Sequence, residues 1–230
     1  MMKVFHFTHI GNRDVNQDYV THKILNDDCA VFVLADGMGG YSSGEIAAKV
    51  VADAIVEYAD QHLNEVSPTR LLKQAIAYAN DELYVKRLAL GYKEMGCVIV
   101  CLLIINDKAF ITWLGDSRIY VFRNGVLIFQ SEDHSLVNEI KGARTLKTQD
   151  FERLSAVVTR SIMGTDELDP VDVYELATEH EDTFFLCSDG IHKEMIVEKL
   201  IKLNDEELQN HLELFSNSFD DNATLLKVKL

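Results

Sequence analysis

Hydrophobic residues recur along the chain with two different periods. In SSGEIAAKVVADAIVEY, Ile46, Ala47, Val50, Val51, Ala54, Ile55 and Tyr58 follow at three- and four-residue steps, which paints one face of a helix. Ser42 followed by Glu45 carries capping-box spacing at its start. A second helix is predicted from Ser67-Pro68, a capping residue with proline at the first helical position, through Leu72, Ala75, Ile76, Ala79 and Leu83 toward Gly91. Beyond Gly96 the pattern changes: CVIVCLLII, AFITWLG, RIYVF and VLIF read as consecutive strands separated by the turns NDK and RNG, with Asn124-Gly125 a two-residue hairpin signal. Such short connections predict an antiparallel meander. The last third adds strands at VDVYEL and TFFLCS, helices within residues 192–215, and a final strand ATLLKVKL, where Leu226, Val228 and Leu230 alternate with Lys227 and Lys229. Two long amphipathic helices and many strands, most of them antiparallel, predict a β-sandwich with helices packed outside.

Several of these apolar runs stop at an aspartate. VFVLADG (31–37), WLGDSR (113–118) and TFFLCSDG (183–190) deliver Asp36, Asp116 and Asp189, and DNAT (221–224) opens the last strand on Asp221. A carboxylate at the tip of a core strand is costly to desolvate unless a cation or a donor meets it. Taken singly, each is explained as a turn or a cap, and Arg13 and Asp18 of GNRDVNQDY as surface charges. Taken together, carboxylates at strand ends with no cysteine or histidine at ligand spacing describe an oxygen-only site, which suits Mg²⁺ or Mn²⁺ rather than zinc. Gly37 lets the backbone approach closely, so that its carbonyl can serve as a further ligand. An arginine beside divalent cations implies an anionic substrate held bidentately, with phosphate the evident candidate.

Composition narrows the partners. The formal charge of −15 argues against nucleic acid or an anionic membrane surface. With two prolines and no linker-like stretch, the 230 residues are expected to form a single domain, 1–230. The four cysteines, Cys29, Cys97, Cys101 and Cys187, lie in apolar runs without C-x-x-C spacing and read as buried thiols of a reducing compartment. MMKVFHFTHI has no long apolar stretch and no run approaches membrane-spanning length, so the expected location is the cytoplasm.

RDVNQD (13–18), ADGMGGYSSGEIAA (35–48), LGDSRIYVFRNG (114–125), DHSLVNEI (133–140), VVTRSIMG (157–164), LCSDGI (186–191) and DNAT (221–224) resemble, in that order, the motifs of the metal-dependent type 2C protein serine/threonine phosphatases of bacterial type. The resemblance implies an α+β fold, a four-layer α-β-β-α sandwich of two antiparallel sheets flanked by helices, with metals in a cleft at one end. It further implies that Asp36 bridges two metals, that the Gly37 carbonyl completes the first, and that Asp189 and Asp221 hold the second. Asp116, with Asp189, would bind a weaker third ion; Arg13 would grip the substrate phosphate; Asp18 would orient metal-bound waters. The implied reaction is hydrolysis of phosphoserine or phosphothreonine in a protein, by direct attack of a water or hydroxide bridging the ions and without a phosphoenzyme. A monomer acting opposite a serine/threonine kinase is the implied setting.

Some positions depart from the family pattern. Gln17 stands where many members carry glutamate, Met38 where many have a histidine proposed as general acid, and Cys97-Val98 where a threonine pair is usual. Lys193 stands at a frequent acidic-ligand position, so a looser third ion site is expected. His134 is expected to organise its loop, and His192, near Asp189, to be a partly exposed or core residue. By the same resemblance, residues 141–156 are expected to correspond to the family's mobile flap beside the cleft. Two other readings stand beside this one: a catalytically silent binding or sensor module on the same fold, which would be expected to lack some of the aspartates, and a phosphatase of small phosphorylated metabolites on a similar centre, which would need a deeper pocket.

Overall fold

The computed structural model describes residues 2–38, 43–140 and 153–230. Ten strands form two five-stranded antiparallel sheets. The first has the order β2 (Asp18–Asn26), β3 (Cys29–Gly37), β4 (Cys97–Ile105), β5 (Lys108–Leu114) and β8 (Tyr174–Ala177). The second has the order β1 (Lys3–His9), β10 (Ala223–Lys229), β9 (Thr183–Cys187), β6 (Arg118–Arg123) and β7 (Val126–Gln130). Helices α1 (Gly44–His62) and α2 (Pro68–Leu90) cover the first sheet, and α3 (Leu136–Ile140) lies in the loop after β7. The short α4 (Asp189–His192) and α5 (Val197–Leu200) and the longer α6 (Asp205–Phe215) cover the second. No helix among the described residues is long and apolar enough to cross a membrane.

The four layers enclose three apolar seams, and strand periodicity sorts residues among them. On β3, Val31, Val33 and Ala35 face α1 and α2, meeting Ala47, Val51, Ile55, Leu72 and Ile76. Their neighbours Phe32 and Leu34 face the opposite sheet, among Val100, Leu102, Ile119, Phe184, Leu186 and Leu226. The third seam lies under α4–α6, where Phe122, Phe185 and Leu225 meet Ile191, Leu208, Leu212 and Phe219. Because β3 and β4 are covered on both faces, their sequences are continuously apolar. Lys227 also points into the third seam, with its Nζ donating to the Leu203 carbonyl and to Asp205. All four cysteines are buried and unpaired, as their apolar settings implied.

The second helix runs as its caps predict: Ser67 is extended, Pro68 opens it, and Gly91 (φ 73°) closes it. Ser42, where the capping-box spacing of the first helix begins, lies outside the described residues; Ser43 precedes that helix without a side-chain cap. A reciprocal capping box instead starts α6, between Asn204 and Glu207. Asn124 and Gly125 (φ 52° and 75°) make the predicted tight hairpin.

Two expectations need correction. The four strands after Gly96 are not one meander. β4–β5 is a hairpin of the first sheet and β6–β7 a hairpin of the second, and the chain changes sheet at Gly115-Asp116-Ser117. A three-residue hairpin and a three-residue sheet-to-sheet corner read alike in a hydrophobic pattern, since both interrupt two apolar runs. What makes the corner is Gly115, at φ 118° and packed so closely on Val98 that an added Cβ would sit 2.2 Å from its side chain. The strand expected at VDVYEL is also shorter than its run: only its second half pairs, as β8, while Val171 and Val173 pack toward the α1/α2 seam. Strands β1 and β2, interspersed with His, Thr and Lys on half-exposed faces, have no clean alternation and were not anticipated.

At the end of the sandwich away from that corner, Arg123 closes β6. Its guanidinium forks onto the buried Asp182, donates to the Ala177 carbonyl at the end of β8, and meets Glu179.

Candidate active site

The aspartates gather where the two sheets come together. Asp18, the first residue of β2, is paired in register with Asp36 near the end of β3. Asp116 occupies the sheet-to-sheet corner, Asp189 begins α4 directly after β9, and Asp221 precedes β10. Since β9 and β10 are antiparallel neighbours, the end of one meets the start of the other. Gly190 makes that approach possible, because a Cβ there would stand 2.2 Å from the Asn222 carbonyl oxygen. Arg13 lies in the loop between β1 and β2.

Arg13, Asp36, Gly37, Asp116, Asp189 and Asp221 line one cavity of about 560 Å³, together with Gln17, Met38 and Lys193. Asp18 lies behind it. Its Oδ2 accepts the Ser188 hydroxyl at 2.7 Å, and its buried Oδ1 has no hydrogen-bond partner among the described residues. Burial, with the charges of Asp189 and Asp221 added and the Ser188 and Thr224 hydroxyls opposing, pushes the Asp18 carboxyl up to about 7. Asp36 is raised well above the ordinary carboxylate range by burial and then by Asp18, Asp189, Asp116 and Asp221. Asp116 rises to about 6, through burial and Asp189 against the relief that Lys193 provides. Such crowding of like charge is the signature of a site completed by cations.

Among the described residues, no three acidic, imidazole or thiol groups already stand together in a clasp for an ion. Among the described residues, two side chains bring positive charge to the carboxylates: Arg13 bonds Asp221 at 2.7 Å, and Lys193 bonds Asp189 at 2.5 Å. The donors nonetheless fit two hard cations. They are oxygen-only, the orphaned Asp18 oxygen needs a partner, and Asp36 stands among four like charges that two divalent ions would neutralise.

The supports of this cavity left no mark in the hydrophobic pattern. The Asn222 side-chain oxygen accepts the Gln17 N–H, and its Nδ2 donates to the carbonyls of Ile10 and Val15, which fastens the Arg13 loop to β10. The Asp116 corner rests on two histidines. His192 Nε2 lies 2.8 Å from the Asp116 carbonyl; burial, reinforced by Arg118, holds this ring neutral with its pKa lowered to about 4, so its N–H donates there. His134 stacks on Trp113, and its Nδ1 accepts the Gly115 N–H at 3.3 Å. The place of His134 in DHSLV, 18 residues beyond Asp116, was the one available sign. Of the expected flap, residues 141–152 lie outside the described residues.

A second cavity of about 610 Å³ adjoins the first and shares Asp116, Ala156 and Lys193 with it. It is a polar trough walled by Ser135, Asn138, His192 and the ion pair in which Arg118 forks onto Asp133 at 2.6 and 2.8 Å.

Known proteins resemble this chain over nearly its whole length. Protein phosphatase PhpP of Streptococcus pneumoniae is 32% identical over 195 residues, covering 83% of this chain and 79% of that protein. Serine/threonine phosphatase stp of Listeria monocytogenes is 28% identical over 233 residues, covering 88% and 85%. Among solved structures, serine/threonine phosphatase Stp1 from Staphylococcus aureus superimposes with a TM-score of 0.85 at 27% identity, covering 100% of this chain and 95% of that one. The catalytic domain of PstP, solved with two manganese ions, shares the fold with a TM-score of 0.81 at 22% identity. The model of the family described as protein phosphatase 2C matches residues 7–227, a span that takes in Arg13 and all five aspartates, and the chain therefore belongs to the protein phosphatase 2C family.

Proposed function

We propose that this metal-dependent protein serine/threonine phosphatase uses Asp36, Gly37, Asp189 and Asp221 to hold two Mn²⁺ or Mg²⁺ ions and Arg13 to bind the substrate phosphate. The observation that carries the reading is the convergence of Asp36, Asp189 and Asp221 on one cavity that Arg13 also enters. When bound, the ions lower the pKa of coordinated water and offset the charge of the phosphate. The remaining work belongs to the chain. Arg13 sits half-exposed at the cavity and presents a planar fork of N–H donors, the geometry that matches two phosphate oxygens. Asp18, anchored by Ser188, turns an acceptor oxygen toward the interior and can fix the orientation of a water there. No buried cysteine is suited to act as nucleophile, since burial raises all four thiols far from the thiolate state. Met38, which lines the cavity, has no proton to give a leaving alkoxide, so none is assigned to it.

The polar trough beside the cavity favours a phosphoserine or phosphothreonine segment of a protein over a small metabolite, because an extended chain would lie across both spaces. The five aspartates favour an enzyme over a silent module. A monomer in the cytoplasm, opposing a serine/threonine kinase, is the setting that the charge of −15 and the buried free thiols support. Hydrolysis of a phosphothreonine peptide with Mn²⁺, with chelator, and by Asp36→Asn is the test. Activity that requires the metal and is lost in Asp36→Asn is expected; activity surviving both refutes the site. Turnover of a phosphorylated metabolite without turnover of peptides would reassign the substrate.

A further inference from the structure

At the position between Asp116 and Asp189 the chain supplies its own cation. Lys193 follows Asp189 by one helical turn, and its backbone N–H caps α4 by bonding the Asp189 carbonyl at 2.9 Å. This spacing carries the ammonium back over the carboxylates: Nζ is 2.5 Å from Asp189 Oδ2 and 3.8 Å from Asp116 Oδ2. Both carboxylates are largely buried, with side chains 12% and 16% exposed, whereas the lysine stem reaches them from the half-exposed rim.

We infer that Lys193 is a built-in cation that takes the place of a divalent ion between Asp116 and Asp189, so that this chain binds one ion fewer than its carboxylates would otherwise hold. Resting on the two-ion reading above, the inference adds that the pair Asp116–Asp189 does not fit a further ion while Lys193 is there. An ion entering would find two carboxylates already paired and would have to displace a tethered ammonium, whose effective local concentration is in the millimolar range or above, set by the short side chain. A lone pair of carboxylates with waters is a weak site for Mg²⁺ or Mn²⁺ by comparison. The exchange also suits the substrate. Lys193 borders both the cavity and the trough, so its fixed charge faces an arriving phosphate at any metal concentration.

The experiment is the Mn²⁺ stoichiometry of the full chain, by equilibrium dialysis with metal analysis up to millimolar Mn²⁺, for wild type, Lys193→Met, Lys193→Asp and Lys193→Asp/Asp116→Asn. Thermal melts show that each variant is folded. Lys193→Met and Lys193→Asp are expected to take up one more ion per chain than wild type, and the added Asp116→Asn to remove it. Equal stoichiometry in wild type and both single variants overturns the inference. If that shared number is two or more, the two-ion reading survives; if it is below two, both fall.

Discussion

Burying the Asp36 carboxyl among its neighbours costs the metal-free protein stability. Burial and four neighbouring carboxylates oppose its ionisation, so Asp36→Asn removes a repulsion while keeping the side chain's shape. In chelator, its unfolding midpoint should exceed that of wild type, while phosphopeptide hydrolysis falls by at least about 100-fold, beyond the 10–100-fold typical of losing an outer partner of a metal site. Paired melts and initial rates check both halves. His134 gives a second prediction at this scale. Burial first and Arg160 second lower its pKa, against the opposing pull of Asp172, Asp169 and Glu139, so the folded state resists a proton that the unfolded chain accepts near 6.5. Stability from this residue is therefore complete above about pH 6.5 and declines as pH falls toward the folded value. His134→Asn retains an acceptor for the Gly115 N–H but does not titrate, so it should lose less stability between pH 7 and 5 than wild type. Urea unfolding followed by the fluorescence of Trp113, the chain's single tryptophan, reads this directly. Asp36, Asp116 and Asp189 were legible because a charge at the end of an apolar run is conspicuous. Asn222, His134 and His192 act through hydrogen bonds across 19 to 212 residues, which leave no periodic trace.

The elements divide in the same way. The helix from Pro68 to Leu90 could be read because its periodicity is bounded by a proline at one end and a glycine at the other. The change of sheet after β5 could not, since its cause is a backbone angle and one close contact. Gly115→Ala meets both obstacles, the left-handed φ and the Val98 side chain, and is expected to cost more than about 2 kcal/mol, as overpacking and backbone strain combine. It should also reduce phosphatase activity in the surviving folded fraction, because Asp116 is the next residue. Gly125→Ala is the control: its φ is also positive, but an added Cβ meets only open space, so a loss of about 1 kcal/mol with activity unchanged is expected. Urea titrations of the two variants, with peptide rates under native conditions, separate a strained turn from a displaced cavity carboxylate.

For the molecule as a whole, the proposed ligands come from both halves of the sandwich: Asp36 from β3 of one sheet, Asp189 just after β9 and Asp221 just before β10 of the other. Ions bound there would stabilise the fold by mass action, about 2.7 kcal/mol at a free concentration one hundred times the Kd. The far end is closed without metal by Arg123, which joins the end of β6 to Asp182, Glu179 and the end of β8. With ions on the proposed ligands the protein would work like a hinged case, with a permanent hinge of guanidinium and carboxylates and a removable latch of ions. Drawing the latch with a chelator should let the case gape from one side only. Amide exchange should quicken around residues 36–37, 116 and 189–190 while residues 122–123 and 182–183 keep their protection, a gradient along single strands that overall loosening would not produce.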